Sequence, residues 1–168
     1  DTGKMLWQLG KGGDAPVPTP IFAHGLIYIH GSHGRYQPIF AIRPGARGII
    51  TLDQDSTSNE YIVWSIKRGG EYMPTNLVYG DYLYKLRMNG NLTCFDARTG
   101  QEIYKARIPD AMGITSSGVA SGGRLYYSIE QGDVVVAQLL EKLEKDPTLG
   151  YDASEGKFVD MIKAGIVD

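Results

Sequence analysis

An all-β fold of repeated four-stranded units, closed by a short C-terminal α-helical appendage, is what this 168-residue sequence predicts. Three features predict it. The 22 glycines and 11 tyrosines call for many tight turns between aromatic-rich strands. One phrase of turn, aromatic, strand, turn and strand recurs along residues 1–137. From Val136 the pattern changes: Val136, Leu139, Leu140 and Leu143 follow helical spacing, with Glu141, Lys142, Glu144 and Lys145 between them.

The first copy of the phrase is "DTGKMLW" followed by "PVPTPIFAHGLIYIHG". The second and most complete copy runs from "YIVWSIKRGG" through "DYLYKLRMNGNLTCFDARTGQEIYKARI", and the third is "ITSSGVASGGRLYYSIEQGDVVVA". Trp64 and Tyr104 stand 40 residues apart, Tyr84 and Tyr126 stand 42 apart, and Trp7 and Trp64 stand 57 apart. The long interval marks an insertion, placed on "RPGARG" and the polar "DQDSTSNE", because loops absorb length at small thermodynamic cost. "MNGN" predicts a hairpin turn with positive φ at both central residues.

Four strands in a period near 40 residues match one blade of a β-propeller. About three blade-like units are readable, fewer than the four to eight blades of a complete ring. The sequence therefore predicts a partial β-propeller whose open blade edges and exposed faces favour self-association. In this reading the repeated residues are structural: Gly makes the turns, the aromatic packs between neighbouring blades, and the Asp/Thr-Gly turn ties one hairpin end.

Composition excludes several function classes. A hydrophobic content of 42% and a charged content of 21% are those of a soluble globular chain, long enough to bury a core. A net charge of -2 gives no electrostatic reason for a nucleic-acid or anionic-membrane partner, and Lys67-Arg68 reads as a solvated turn. With no run of eighteen apolar residues and no charged-then-apolar leader, neither a membrane span nor a signal peptide is expected within these residues. The start in mid-pattern at Asp1 suits a mature or excised segment. Cys94, the single cysteine, cannot form an intrachain disulfide and reads as a buried, inert thiol.

The units resemble the repeats of the PQQ-like (quinoprotein-type) β-propellers found in bacterial outer-membrane assembly lipoproteins and in secreted repeat proteins. The resemblance is carried by Asp96, Thr99, Gly100 and Tyr104 in "DARTGQEIY" and by Asp1, Thr2, Gly3 and Trp7 in "DTGKMLW". That family prefers Trp at the aromatic position, which Trp7 and Trp64 supply and from which Tyr104 departs conservatively. The resemblance implies a propeller over residues 1–137 and a periplasmic or secreted location; the repeat, with no site to be placed on it, reads as a non-catalytic scaffold for a protein partner. In the family's dehydrogenases a full ring holds the quinone and a calcium ion through acidic, Asn and Arg side chains at its centre. No such set can be placed here, so a fragment of a PQQ-dependent dehydrogenase is the alternative.

Other constellations are weak. Asp53, Asp55 and Glu60 could open a calcium loop, but the template wants Gly where Ser58 stands and Glu where Trp64 stands. His30 and His33 lie in a Gly-rich turn with no Cys or carboxylate beside them. Ser116 and Ser117 lack a nucleophile-elbow context, and the glycosylation triplet at Asn91 falls inside a strand pattern. No catalytic residue, cofactor or metal is expected.

The end of the chain carries a second resemblance. A helix from Val136 to Leu143, stopped before Pro147, is expected to lead into a hairpin around Ser154 to Gly156. "VDMIKAG" then reads as a short helix capped by Asp160 and ended by Gly165. Residues 132–168, most fully from Leu149 to Asp168 with "GYDA", "FVDM" and "AGIVD", are similar to the equatorial part of group I chaperonins. In that family the segment borders the ATP pocket, which implies weak nucleotide candidates in Asp152 and Ala153 near adenine and Asp168 at the ribose. The family's phosphate loop and catalytic acidic motif have no counterpart, so no ATPase is expected. The two resemblances overlap at "GDVVVA", which suggests a fusion dividing the chain into residues 1–137 and 138–168.

Overall fold

The computed structural model describes residues 2–15, 17–31, 33–109, 111–129, 134–138, 149–152 and 157–160. Short segments rich in aliphatic and aromatic residues, punctuated by Gly and Asp turns, form strands throughout them. Near the N-terminus, β1 (Trp7–Gln8) awaits a partner later in the chain. The first sheet is an antiparallel meander of β2 (Ile21–Ala23), β3 (Leu26–His30), β4 (Ile39–Ile42) and, beyond β5 (Gly48–Ile49), β6 (Ile62–Ile66). The second sheet is β7 (Leu77–Tyr79), β8 (Tyr82–Leu86), β9 (Asn91–Asp96) and β10 (Glu102–Arg107) in the same order. The third is β11 (Val119–Ser121), β12 (Arg124–Ser128) and β13 (Val134–Gln138). A separate hairpin pairs β14 (Leu149–Asp152) with β15 (Lys157–Asp160).

The strand registers make the three sheets equivalent. Ile21, Tyr28, Ala41 and Trp64 form one cross-strand row. Leu77, Tyr84, Cys94 and Tyr104 form the same row in the second sheet, and Val119, Tyr126 and Val136 form it in the third. Because side chains alternate between faces, each row sits on one face and its neighbours on the other. The first row packs against Leu83 and Phe95 of the second sheet. The second row packs against Leu125 and Tyr127 of the third. Each interface buries several large apolar side chains, at about 1.5–3 kcal/mol apiece.

The other face of the first sheet, with Phe40, Ile42 and Ile62, is covered by Ala46 and Ile50 from the insertion and by Trp7 and Leu9. All of β4 is therefore buried. The insertion lies between β4 and β6, as the long interval predicts. It is held by Asn59, whose Oδ1 accepts from the backbone N–H groups of Tyr61 and Ile62 at 3.0 and 2.8 Å and whose Nδ2 donates to the Ile50 carbonyl at 3.1 Å.

The fold is thus all-β and propeller-type, and four departures from the sequence reading have local causes. Trp64 opens the second copy of the sequence phrase but belongs to β6, the last strand of the first sheet, so the phrase straddles two blades. Trp7 joins no four-stranded sheet; β1 pairs in parallel with β5 of the insertion. In "MNGN" only Gly90 has positive φ, at 83°. Its N–H donates to the Arg87 carbonyl at 2.8 Å and Arg87 N–H donates to the Asn91 carbonyl at 2.9 Å, a type I turn closed by a left-handed Gly. Finally, Val136–Gln138 belong to strand β13 and not to a helix, because the edge of β12 offers a ladder of backbone partners to a β-branched run.

The rest of that expected helix, Leu139 to Leu143, lies outside the described residues, as do residues 153–156, where the hairpin turn is expected, and residues 161–168. Val159 and Asp160 of the second expected helix are in β15. Among the described residues no helix is long and apolar enough to cross a membrane.

Candidate functional site

The Asp/Thr-Gly turn connects β9 to β10 and docks on the first sheet. Asp96 Oδ1 accepts from Arg98 N–H at 3.0 Å, Thr99 N–H at 2.8 Å and Thr99 Oγ1 at 2.8 Å. Gly100, at φ +73°, closes the turn by donating its N–H to the Asp96 carbonyl at 2.9 Å. The Ala97 carbonyl, pointed back at the first sheet, accepts from Trp64 Nε1 and from the Tyr28 hydroxyl, each at 3.0 Å. Burial pushes the Tyr28 phenol up to about 12, so it stays a donor at neutral pH.

Outside the turn, Arg98 Nη1 pairs with Asp81 Oδ1 at 2.6 Å and Arg98 Nη2 meets His24 Nδ1 at 3.0 Å. His24 Nε2 lies 2.8 Å from the Gly80 carbonyl, which fits an imidazole donating from Nε2 and accepting at Nδ1. The hydrogen bond from Arg98 holds the Asp81 carboxyl below its ordinary value. Asp96 thus holds the turn together, while the Ala97 carbonyl and the Arg98–His24 contact join it to the first blade.

The other motif residues fall as follows. Gly3 has the left-handed φ of Gly100, +65°, but open space where Trp64 would stand, and Thr2 is exposed beside it. Asp1 lies outside the described residues. Trp7 packs with Phe40, Ile42 and Ile50. Tyr104 packs at the interface of the second and third sheets, where burial raises its phenol and that of Tyr84 across Cys94. Burial likewise pushes the Cys94 thiol up to about 12.

The chemistry-bearing residues do not converge. His30 is 2% exposed and its Nε2 accepts from Asn76 N–H at 2.8 Å, with burial pushing its pKa down to about 4. His33 is exposed, its ring edge-on to Tyr72. Asp53, Asp55 and Glu60 are exposed, and Asp55 meets Lys67 at 3.9 Å. Among the described residues no three His, Cys, Asp or Glu side chains are grouped as for a metal ion. Ser116 Oγ donates to the Ser128 carbonyl at 2.7 Å, and Ser117 Oγ accepts from Thr75 N–H at 3.2 Å. Asn91 is in β9, its Oδ1 facing Arg107 Nη1 at 3.4 Å. Asp152 is in β14, while Ala153 and Asp168 lie outside the described residues.

One feature escaped the sequence reading. A groove of about 460 Å³ is lined by Arg68, Lys85, Arg87, Lys105 and Arg107, around Asn91 and Thr93. The signal was present in "YKLR" and "YKAR", where cations recur two apart on strands flanking one central strand.

No family model matches the chain. It is 23% identical to the outer membrane protein assembly factor BamB of Yersinia pestis, over 80% of this chain and 43% of that relative. A 38-residue stretch, 23% of this chain and 6% of the relative, is 60% identical to mitochondrial chaperonin CPN60-1 of Cucurbita maxima. Among solved structures, the quinohemoprotein alcohol dehydrogenase ADHIIG of Pseudomonas putida HK5 superposes with a TM-score of 0.52 at 17% identity. That match covers 92% of this chain and 22% of the dehydrogenase, and it establishes a shared propeller-type fold. The chain thus spans less than half the length of each of these proteins.

Proposed function

We propose that this chain is a non-catalytic β-propeller segment that acts as a protein-binding scaffold in a periplasmic or secreted setting. The observation that carries the reading is the outer face of the third sheet. Its row of Val119, Tyr126 and Val136 is equivalent to rows that the next blade covers in the first two sheets, yet Val119 is 64% and Val136 49% exposed. Val134 on the same strand is 57% exposed. An apolar sheet face of this kind is stabilised by a partner that covers it. The similarity to an outer-membrane assembly factor supports an interaction role. So does the use of polar groups of the repeat's turn in blade-to-blade contacts.

The test is association. Sedimentation velocity across a concentration series should show self-association that Val119→Lys with Val136→Lys abolishes, because a buried ammonium has no partner there. A wild type that stays monomeric at every concentration sinks the reading. The alternative, a fragment of a quinone-dependent dehydrogenase, predicts an absorbance change when pyrroloquinoline quinone and calcium are added. Nucleotide binding by the chaperonin-like stretch predicts heat on titration with ATP.

A further inference from the structure

We propose that the groove between the first and second sheets binds a short acidic peptide segment, whose carboxylates pair with Lys85, Arg87, Lys105 and Arg107. The proposal rests on the scaffold reading and gives its partner a chemistry.

The strand registers build the site. Lys85, Thr93 and Lys105 form one cross-strand row, and Arg87, Asn91 and Arg107 form the next, joined by Arg87 N–H to the Asn91 carbonyl and by the Arg107–Asn91 pairing. Both rows share a face with Leu83 and Phe95, the face turned to the first sheet, because residues two apart on a strand point the same way. From the first sheet's side Arg68 lines the cavity, and Gln37 Oε1 accepts from Arg87 Nη2 at 3.2 Å.

Charge is unbalanced there in a chain whose formal net charge is -2. Five cations line the groove. Of the carboxylates beside it, Glu71 meets Arg87 Nε at 3.4 Å and Glu102 meets Lys105 at 2.8 Å, so both are engaged. Lys85 is only 6% exposed and forms no ion pair among the described residues; its Nζ stands 5.8 Å over the Phe95 ring. A buried ammonium without an anion is costly to keep, and a bound carboxylate supplies the missing partner. Edge strands often carry Lys to discourage pairing, which accounts for Lys105 on β10. It does not account for Lys85, on an inner strand and buried.

The spacing selects an extended peptide over a single small anion. Rows two residues apart on a strand are separated by about 7 Å, the repeat of alternate side chains in an extended segment. A Glu-x-Glu stretch thus places one carboxylate at each row, with Asn91 and Thr93 between as hydrogen-bonding groups. The cations also spread over two blades and do not converge on one point. A nucleic acid is the poorer fit, because the remaining surface of an acidic chain repels a long polyanion.

The experiment is a fluorescence-anisotropy titration of the full chain with a fluorescein-labelled hexaglutamate peptide. Saturable binding is expected that weakens between about 50 mM and about 500 mM salt. Lys85→Met should weaken it about tenfold with the circular dichroism spectrum preserved. Lys105→Gln, on an exposed position, should weaken it severalfold and decides the matter alone if Lys85→Met does not fold. Absence of saturable binding, or affinity unchanged in both variants, overturns the proposal. So does displacement of the peptide by a lower concentration of inorganic phosphate or of a single-stranded oligonucleotide. Val119→Lys/Val136→Lys removes association without touching the groove, so failure of the scaffold reading and failure of the groove give different results.

Discussion

The indole of Trp64 fills the space that a side chain at Gly100 would need: a Cβ there would lie 2.6 Å from Trp64 Cδ2. Gly100 also has φ +73°, so it answers two demands at once. Gly100→Ala should lose about 1–2 kcal/mol to the left-handed backbone and about 1–3 kcal/mol to the displaced ring. Urea denaturation should show a loss of about 2–5 kcal/mol, whereas Gly3→Ala, with φ +65° and no neighbour, should lose no more than about 1–2 kcal/mol. Equal effects at the two glycines would show that the ring contact contributes nothing.

Asp96 organises the same turn by accepting three hydrogen bonds at one oxygen. Asp96→Ala should therefore cost about 1–2 kcal/mol, and Asp96→Asn less, since its amide oxygen can still accept. The readout is again the urea midpoint. If the two substitutions are equally harmful, the charge of Asp96 matters rather than its geometry.

These residues mark what was legible in the sequence. Gly100, Asp96 and Trp64 stand out as a repeated phrase, but repetition shows equivalence and not adjacency, so the docking of one blade's turn on the preceding blade's Trp had to come from the structure. Cys94 was legible as a buried thiol within a strand because the strand signal around it is strong and a free Cys packs as a small apolar residue; β9 is in fact buried on both faces from Leu92 to Phe95. At Val136 helical spacing and a β-branched run coincide, and pairing with β12, the strand just before it, decides for a strand. Lys85 was missed for a different reason. A strand lysine reads as solvated, and only the first sheet, packed over the same face, buries it.

His30 makes acid stability a readable quantity. Burial lowers its pKa from 6.5 to about 4, so between those values the unfolded chain binds a proton that the folded chain does not. Stability is therefore fully present above about pH 6.5 and falls as pH drops toward 4, by roughly 3 kcal/mol at most from this group. His30→Gln, which does not titrate, should flatten that part of the pH profile of the urea midpoint. A variant with the same slope as wild type assigns the acid loss to other groups.

Lys85 acts in the opposite range. Burial, with Arg87 and Lys105 opposing its charge and Glu71 and Glu102 favouring it, lowers its pKa from 10.5 to about 8. Between those values the unfolded chain holds a proton that the folded chain has released, so without ligand this group makes stability rise with pH across the window. An acidic peptide needs the ammonium form, so its affinity should be full below about pH 8 and fall above it, with about half a proton taken up per peptide bound near pH 8 and close to one well above it. The guanidinium groups of Arg68, Arg87 and Arg107 leave a weaker residual affinity at high pH. Hexaglutamate titrations at several pH values in two buffers of different ionisation heat measure both quantities. In Lys85→Met the affinity should be lower and nearly independent of pH across this window, and a pH dependence that survives the substitution assigns the proton to another group.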